Sequence, residues 1–560
     1  MTGRDTGRLG GEPGPSEDLQ QALAYLGRPV SPGTVVRTGY LTGLAAGGVA
    51  SLAGFVVAPG TRPVALAGAV IVAVAATHVV HVTPRLVATA RRTNALGAAP
   101  DLLARAILLM RLSAPPERAA AFAAASGESR LATSLGRHVQ AARAGAGSGF
   151  EEFGAEWADW FPALDRAVRL VVAAGGAEPP ERERLLERAM AAVLEGTRTR
   201  MQEFAGRIRG PATALYAFGV LLPTALIALL PAARAAGVAV TPPVLVGIYG
   251  VLLPVCLVAA GTWLVVRRPV AFPPPQVTTA HPAVPDWTRL APVVGGCLAV
   301  VTYVVSDVVS PDWTPPVVAT GVGLGATLQL RYGPRQEVHD RVRAVEAGLA
   351  DALVHIGRRV AAGTAVETAV EAAAADVDGE MGTVLAAGAR HQRQLRRGID
   401  EAFLDDDGAL AVVPSRRVRG AFGLLALAAR EGRPAGEALL SLADHVEDLR
   451  EIGREARTEL DRTCATLRTT GSVFGPLVAG TTVALAGMMT GGNLLRSGSI
   501  PWLGTVVGWY VLFLAAFLPA LATGLVRGFD RTLVGVRAGR SLVSASLVYA
   551  GTYLVTRFLA

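Results

Sequence analysis

A chain of 560 residues, 51% of them hydrophobic and with a mean hydropathy of +0.40, is too oily for an ordinary soluble protein. All 53 basic residues are arginine, which removes the lysine that a GxxxxGKS/T phosphate loop, a Schiff base or a pyridoxal site requires. The net charge of +8 does not call for nucleic acid, because a membrane protein collects cations on its cytoplasmic side in any case.

In chain order, residues 1–35 form a polar tail rich in Gly, Pro and Arg. A full-length apolar segment follows it, not a short apolar core with a cleavage site, so no removable signal peptide is expected. Nine stretches are predicted to cross a bilayer: 38–58, 62–82, 212–233, 242–266, 288–308, 314–330, 472–490, 501–526 and 541–558. Most reach the roughly 18 to 20 residues that a crossing needs. The shortest, 314–330, opens on Pro315-Pro316 and is closed by Arg331. The stretches group into a hairpin (36–83), a pair (211–267), a second hairpin (287–330), a second pair (471–527), and a basic loop with a final helix (528–560). A linker at 268–286, stiffened by Pro273, Pro274 and Pro275, joins the halves.

Charge is concentrated in two blocks, 84–210 and 331–470, which hold about three quarters of it. Residues 84–210 and 331–468 together carry 38 of the 53 basic and 37 of the 45 acidic residues. Inside them the apolar pattern is helical. Leu439, Leu442, Val446, Leu449, Ala456 and Leu460 recur at steps of three and four, with Glu447, Asp448, Glu451, Arg454 and Glu455 on the other faces. Leu349, Leu353, Ile356 and Val360 form a second stripe, and Val418, Phe422 and Leu425 a third. Leu186, Met190, Val193 and Phe204 repeat the long stripe in the first block. No sustained alternation argues for strands, so each block is expected to be a small helical bundle. The fold class is an all-α membrane protein of about nine transmembrane helices with two homologous cytoplasmic bundles in tandem.

The two halves echo one another at an offset of 250 residues. Pro84-Arg85 falls on Pro334-Arg335, Asp101 on Asp351, Glu117 on Glu367, and Ala123–Ala125 on Ala373–Ala375. Arginines gather on alternate connections, at Arg85, Arg91 and Arg92, at Arg267 and Arg268, at Arg331 and Arg335, and at Arg527, Arg531, Arg537 and Arg540. That places both bundles and the N-terminus inside, the C-terminus outside, and the two copies in the same orientation.

Candidate chemistry is sparse. His78 and His81 have a spacing that could hold a metal, but no third ligand is near and no metal site is assigned. Cys256, Cys297 and Cys464 form neither a disulfide framework nor a metal set. No HExxH, GxSxG or paired zinc-type cysteines occur, so no catalytic or cofactor-binding residues are assigned and the chain is not read as an enzyme. The middles of the spans lack Asp, Glu, Arg and His, which counts against an ion-coupled transporter; one using backbone dipoles near Pro223 and Pro254 is the alternative reading. The run Asp405-Asp406-Asp407 lacks the spacing of a calcium loop. Flanked by Arg390, Arg393, Arg396, Arg397 and by Arg416, Arg417, Arg419, it reads as a solvated, internally paired surface or as a docking face for a partner protein.

The second block reads Leu349-Ala350-Asp351-Ala352-Leu353, Gly363-Thr364, then Ala369 to Ala375. It continues through Leu424-Leu425-Ala426-Leu427-Ala428-Ala429, Glu431-Gly432-Arg433-Pro434 and Glu437-Ala438-Leu439-Leu440 into a long charged helix that runs toward the membrane. This layout resembles the type II secretion F family, the inner-membrane platform proteins of type IV pili, type II secretion systems and archaella. The doubled form with a leading hairpin is similar to the archaeal branch. The first copy is the more divergent, with Ser113 where the second has Gly363 and Pro115-Pro116 interrupting. The resemblance implies a non-enzymatic platform in the cell membrane. A cytoplasmic ring ATPase would engage its bundles, pilin-like subunits would be lifted from the bilayer, and the platform could form a homodimer. The first block, with 18 basic and 14 acidic residues, is net +4; the second, with 20 and 23, is net −3. That asymmetry is expected to orient the blocks against each other or against the ATPase.

Overall fold

The computed structural model describes residues 17–27, 30–57, 62–236 (apart from 114, 126, 128, 144 and 146), 242–268, 277, 281–310, 313–431, 435–491 and 502–559. Most of the proline-rich linker therefore lies outside the described residues. Regular structure among those described is entirely helical.

A short amphipathic helix, α1 (Glu17–Leu26), precedes a hairpin of α2 (Pro32–Val57) and α3 (Arg62–Leu96). The hairpin closes on small residues. Gly39, Gly43 and Gly47 stand four apart on α2 and face His81, Thr77 and Ala73 of α3; a Cβ at Gly43 would come within 2.7 Å of the Ala73 carbonyl oxygen. Close backbone approach of this kind is how helices pack where neighbouring lipid offers no hydrophobic drive. His81 spends its Nε2 on the Val36 carbonyl at 3.1 Å, so it acts as a clasp between α2 and α3.

The first bundle comprises α4 (Ala99–Ser113), α5 (Pro116–Ala125), α6 (Arg130–Ala142), α7 (Gly149–Trp157), α8 (Pro162–Gly175) and the start of α9 (Pro179–Tyr216). Ser129 caps α6 through Ala132 N–H at 3.0 Å and Ser148 caps α7 through Glu151 N–H, so each helix start satisfies one otherwise orphaned donor. The apolar faces meet in a core that includes Leu103, Ile107, Leu131, Phe150, Phe153, Val168, Leu186 and Val193. Each such side chain contributes about 1.5–3 kcal/mol on burial.

Beyond α9 come α10 (Leu222–Ala235), α11 (Pro242–Leu245) and α12 (Leu253–Val266), then the second hairpin of α13 (Ala291–Val309) and α14 (Thr314–Ala347). The second bundle is α15 (Leu349–Ala361), α16 (Val366–Asp376), α17 (Gly379–Leu395), α18 (Ile399–Leu404), α19 (Arg416–Glu431) and the start of α20 (Ala435–Thr469). Its core holds Leu353, Ile356, Leu385, Phe403, Leu410, Phe422, Leu425 and Leu439. Helix α15 stops at Gly363, whose φ of +93° suits glycine; Thr364 N–H reaches back to the Arg359 carbonyl at 3.0 Å and closes the C-terminus. The chain ends with α21 (Gly475–Gly491), α22 (Leu503–Arg527) and α23 (Arg531–Leu559).

Seven helices among the described residues are long and apolar enough to cross a membrane, and each overlaps one of the nine predicted stretches. The other two, 38–58 and 314–330, fall in α2 and in the first half of α14. In α14 the reason is physical. Val317, Val318 and Ala319 are buried, and Gly321, Gly323 and Gly325 press against Ser546 of α23, Ala299 of α13 and the Gly539 carbonyl of α23. A helix walled by other helices is freed from the oiliness that lipid contact demands, and glycine lowers its mean hydropathy further. Helix α13, by contrast, leaves Val293, Val300, Val304 and Val308 exposed.

The bundles touch through α4, α9, α19 and α20. Leu449 and Ile452 of α20 join the first core and Leu108 of α4 joins the second. Arg198 of α9 meets Glu455 of α20 at 2.8 Å, and Arg209 pairs with Glu459. In both pairs the cation comes from the net-positive block and the acid from the net-negative one. A groove of about 380 Å³ lies between the two helices, lined by Met201, Gln202, Ala205 and Ala456 together with these ion pairs.

Candidate functional site

The residues singled out for partner docking lie on and just after α17, on the turn after α18 and on the start of α19. Arg397 donates to both carboxylate oxygens of Asp407, at 2.8 and 2.9 Å. The contact holds the Asp407 carboxyl below the usual carboxylate range. Asp405 ends α18, and its carbonyl accepts from Gly408 N–H, so the acidic run is a short turn with Asp405 and Asp406 at the surface. Arg393 pairs with Glu371 of α16, and Arg396, with φ 53°, ends α17 in the left-handed region. Arg390 is exposed on the same helix. Arg416, Arg417 and Arg419 lie on the first turn of α19, which Ser415 caps. Arg419 reaches back to the Leu410 carbonyl at 3.5 Å, while Arg417 comes close enough to Arg457 of α20 to repel it.

Sequence reasoning missed the place where the bundles become membrane helices. Helix α9 passes into α10 through a π-helical turn, Ala217–Leu221, and α20 passes into α21 through another, Thr470–Phe474; a third, Val246–Leu252, precedes α12. Each ends with an N–H bonded five residues back: Leu222 to Ala217, Leu253 to Ile248, Gly475 to Thr470. A proline follows two residues after each turn, at Pro223, Pro254 and Pro476. Proline brings no N–H and its ring collides with the carbonyl four residues back, so widening the preceding turn by one residue relieves the clash. The freed carbonyls find other donors. Gly219 C=O accepts from Tyr510 O–H of α22, and Ser472 C=O accepts from Ser544 Oγ of α23 at 3.1 Å. Tyr249 O–H adds a bond to the Pro223 carbonyl at 2.6 Å. The signal was in the sequence: a proline in mid-span with an aromatic or hydroxyl side chain to serve the displaced carbonyl.

A polar cluster lies where α22 turns into α23. His339 of α14, 1% exposed, sits 3.2 Å from Asp530, which also caps α23 through Thr532 N–H at 2.6 Å. Burial drives the His339 pKa down, against the attraction of Asp530. Arg268, at the end of α12, donates from Nε to the Leu525 carbonyl at 2.6 Å and from Nη2 to the Val526 carbonyl at 3.0 Å. It satisfies the last carbonyls of α22 and sets a cation at a helix C-terminus. Burial depresses its guanidinium to about 10.

The nearest approach to a catalytic constellation is Ser134, His138 and Glu156 in the first bundle. Ser134 Oγ donates to Glu156 at 2.8 Å, the same carboxylate oxygen that His138 Nε2 meets at 2.7 Å. Burial raises the Glu156 carboxyl, but the bonds from His138 and Ser134 outweigh it and hold the pKa below its usual range. The serine proton points to the acid, not to the imidazole, and Ser134 is buried under Trp157, so no base activates a nucleophile here. No group of three His, Cys, Asp or Glu converges as a metal site among the described residues.

No protein-family model matches the chain, and neither a curated protein nor a solved structure is found to be similar to it.

Proposed function

We propose that this chain is a multi-pass platform of the cell membrane that couples a cytoplasmic ring ATPase to the extraction and assembly of pilin-like subunits. The observation that carries the reading is the continuity of α9 and α20. Each runs from a cytoplasmic bundle into a membrane helix through a single π-turn, and the two pair with each other through Arg198–Glu455 and Arg209–Glu459. Movement imposed on either bundle would reach the membrane helices along an unbroken rod. The helix order supports a duplicated cassette: α3 to α10 run in the same sequence as α14 to α21, π-turns included. In this reading the two cassettes are parallel copies. Nine helices cross the membrane, α2 and α14 among them, with the bundles and N-terminus inside and the C-terminus outside.

Capture of a secretion-class ATPase by the full-length protein in mild detergent tests the proposal. Reversal of the two free acids, Asp405→Arg with Asp406→Arg, is expected to weaken capture. Unchanged capture at low salt removes this turn as the docking face. Substrate flux in liposomes by the protein alone, without any ATPase capture, would replace the platform with a transporter.

A further inference from the structure

Where α14, α20, α22 and α23 leave the apolar region on the bundle side, arginines converge and outnumber the acids among the described residues. Arg343 of α14 lies close enough to Arg457 of α20, Arg527 of α22 and Arg537 of α23 to repel all three. Arg268 and Arg417 approach Arg457 as well, and Arg468 approaches Arg537. The carboxylates among them are few. Asp461 is bonded to Arg468 at 2.9 Å, Glu346 accepts from Ser415 Oγ at 2.6 Å, Asp530 faces His339 at 3.2 Å, and Asp340, 3.3 Å from Arg343, is exposed. Neither Arg457, which is exposed, nor the half-buried Arg527 has a hydrogen bond or an ion pair among the described residues. Donor atoms are also buried and unmatched: Nη1 of Arg268 and Nε of Arg335 find no acceptor, and Nη2 of Arg343 makes no hydrogen bond beyond its ion pair with exposed Asp340. Arg335, His339 and Arg343 stand four apart, on one face of α14.

Buried guanidinium groups are costly unless an anion meets them, and their planar fork matches the oxygens of a phosphate. We propose that this cluster binds the phosphate of an anionic phospholipid from the cytoplasmic leaflet. A lipid fits better than a soluble phosphate because apolar side chains continue the site. Phe529, in the turn between α22 and α23, is 66% exposed beside Arg527. At the nearby end of α12, Trp263 lies under the Arg267 guanidinium at 4.1 Å and is itself exposed. Such aromatic–arginine edges belong at the headgroup level, where the leaflet is negative.

The full-length protein, purified in mild detergent, is delipidated and then offered phosphatidylglycerol, phosphatidylcholine or inorganic phosphate. Bound lipid is read by native mass spectrometry and protection by thermal unfolding. Phosphatidylglycerol is expected to be retained and to raise the melting temperature, with no such effect from the other two. Arg343→Gln with Arg527→Gln should cut its retention about tenfold, and the lysine pair should restore part of it. If the glutamine pair does not fold, the wild-type comparison decides alone. Equal retention of both lipids overturns the site, and protection by inorganic phosphate equal to that by phosphatidylglycerol overturns the lipid.

Discussion

Tyr510 on α22 gives its hydroxyl proton to the carbonyl of Gly219, the acceptor that Pro223 strips of its intrahelical partner. The bond joins the membrane helices of the two halves at the point where the first bundle's rod enters the bilayer. Tyr510→Phe keeps the ring and deletes the donor, leaving a buried carbonyl unmet. The loss should be about 1–3 kcal/mol, read as a lower melting temperature in detergent with the helical content unchanged.

How much of this was legible beforehand follows from the kind of force involved. The bundle stripes were, because Leu349, Leu353, Ile356 and Val360 announce a helix face by period alone, and all four are buried in the second core. The spans were legible for the same reason, as runs of apolar residues. Helix α14 was the hardest to read, since its place among α13, α22 and α23 rests on glycines whose value lies in what their neighbours do. The site residues were least legible. Arg397 and Asp407 are ten apart and do meet, yet Arg268 and Leu525 are 257 apart and nothing local links them.

The Gly43 contact makes a sharp packing test. Gly43→Leu would drive its side chain into Thr77 and the Ala73 carbonyl, and backbone cannot yield as a side-chain tip can. A cost of about 1–3 kcal/mol or more is expected for such overpacking, whereas Gly48→Leu, which meets nothing, should be neutral. Proteolytic sensitivity of the α2–α3 hairpin distinguishes the two.

The cross-bundle pair Arg198–Glu455 is exposed, so its worth is modest, about 0.5 kcal/mol and sensitive to salt. Either single reversal, Arg198→Glu or Glu455→Arg, should lower stability by that order, and the double swap should recover most of it. Recovery at low salt that fades at high salt is the expected pattern in a double-mutant cycle.

His339 gives a pH dependence of definite sign. Burial, only partly opposed by Asp530, holds its folded pKa below the unfolded value near 6.5. The folded state therefore binds fewer protons than the unfolded one in that window. Stability is fully present above about pH 6.5 and declines as pH falls toward the lower folded value, by about 1.4 kcal/mol per unit of depression. His339→Gln should flatten that decline in a melting series from pH 7.5 to about 5.

The position of Arg268 has a consequence for how the halves depend on one another. It is the first residue of the linker, yet its bonds end on Leu525 and Val526, near the far end of the second half. Covalent continuity is thus not what holds α12 to α22. Two separately encoded polypeptides, one ending shortly after Arg268 and one beginning before α13, would still carry the complementary surfaces needed to find each other in the bilayer.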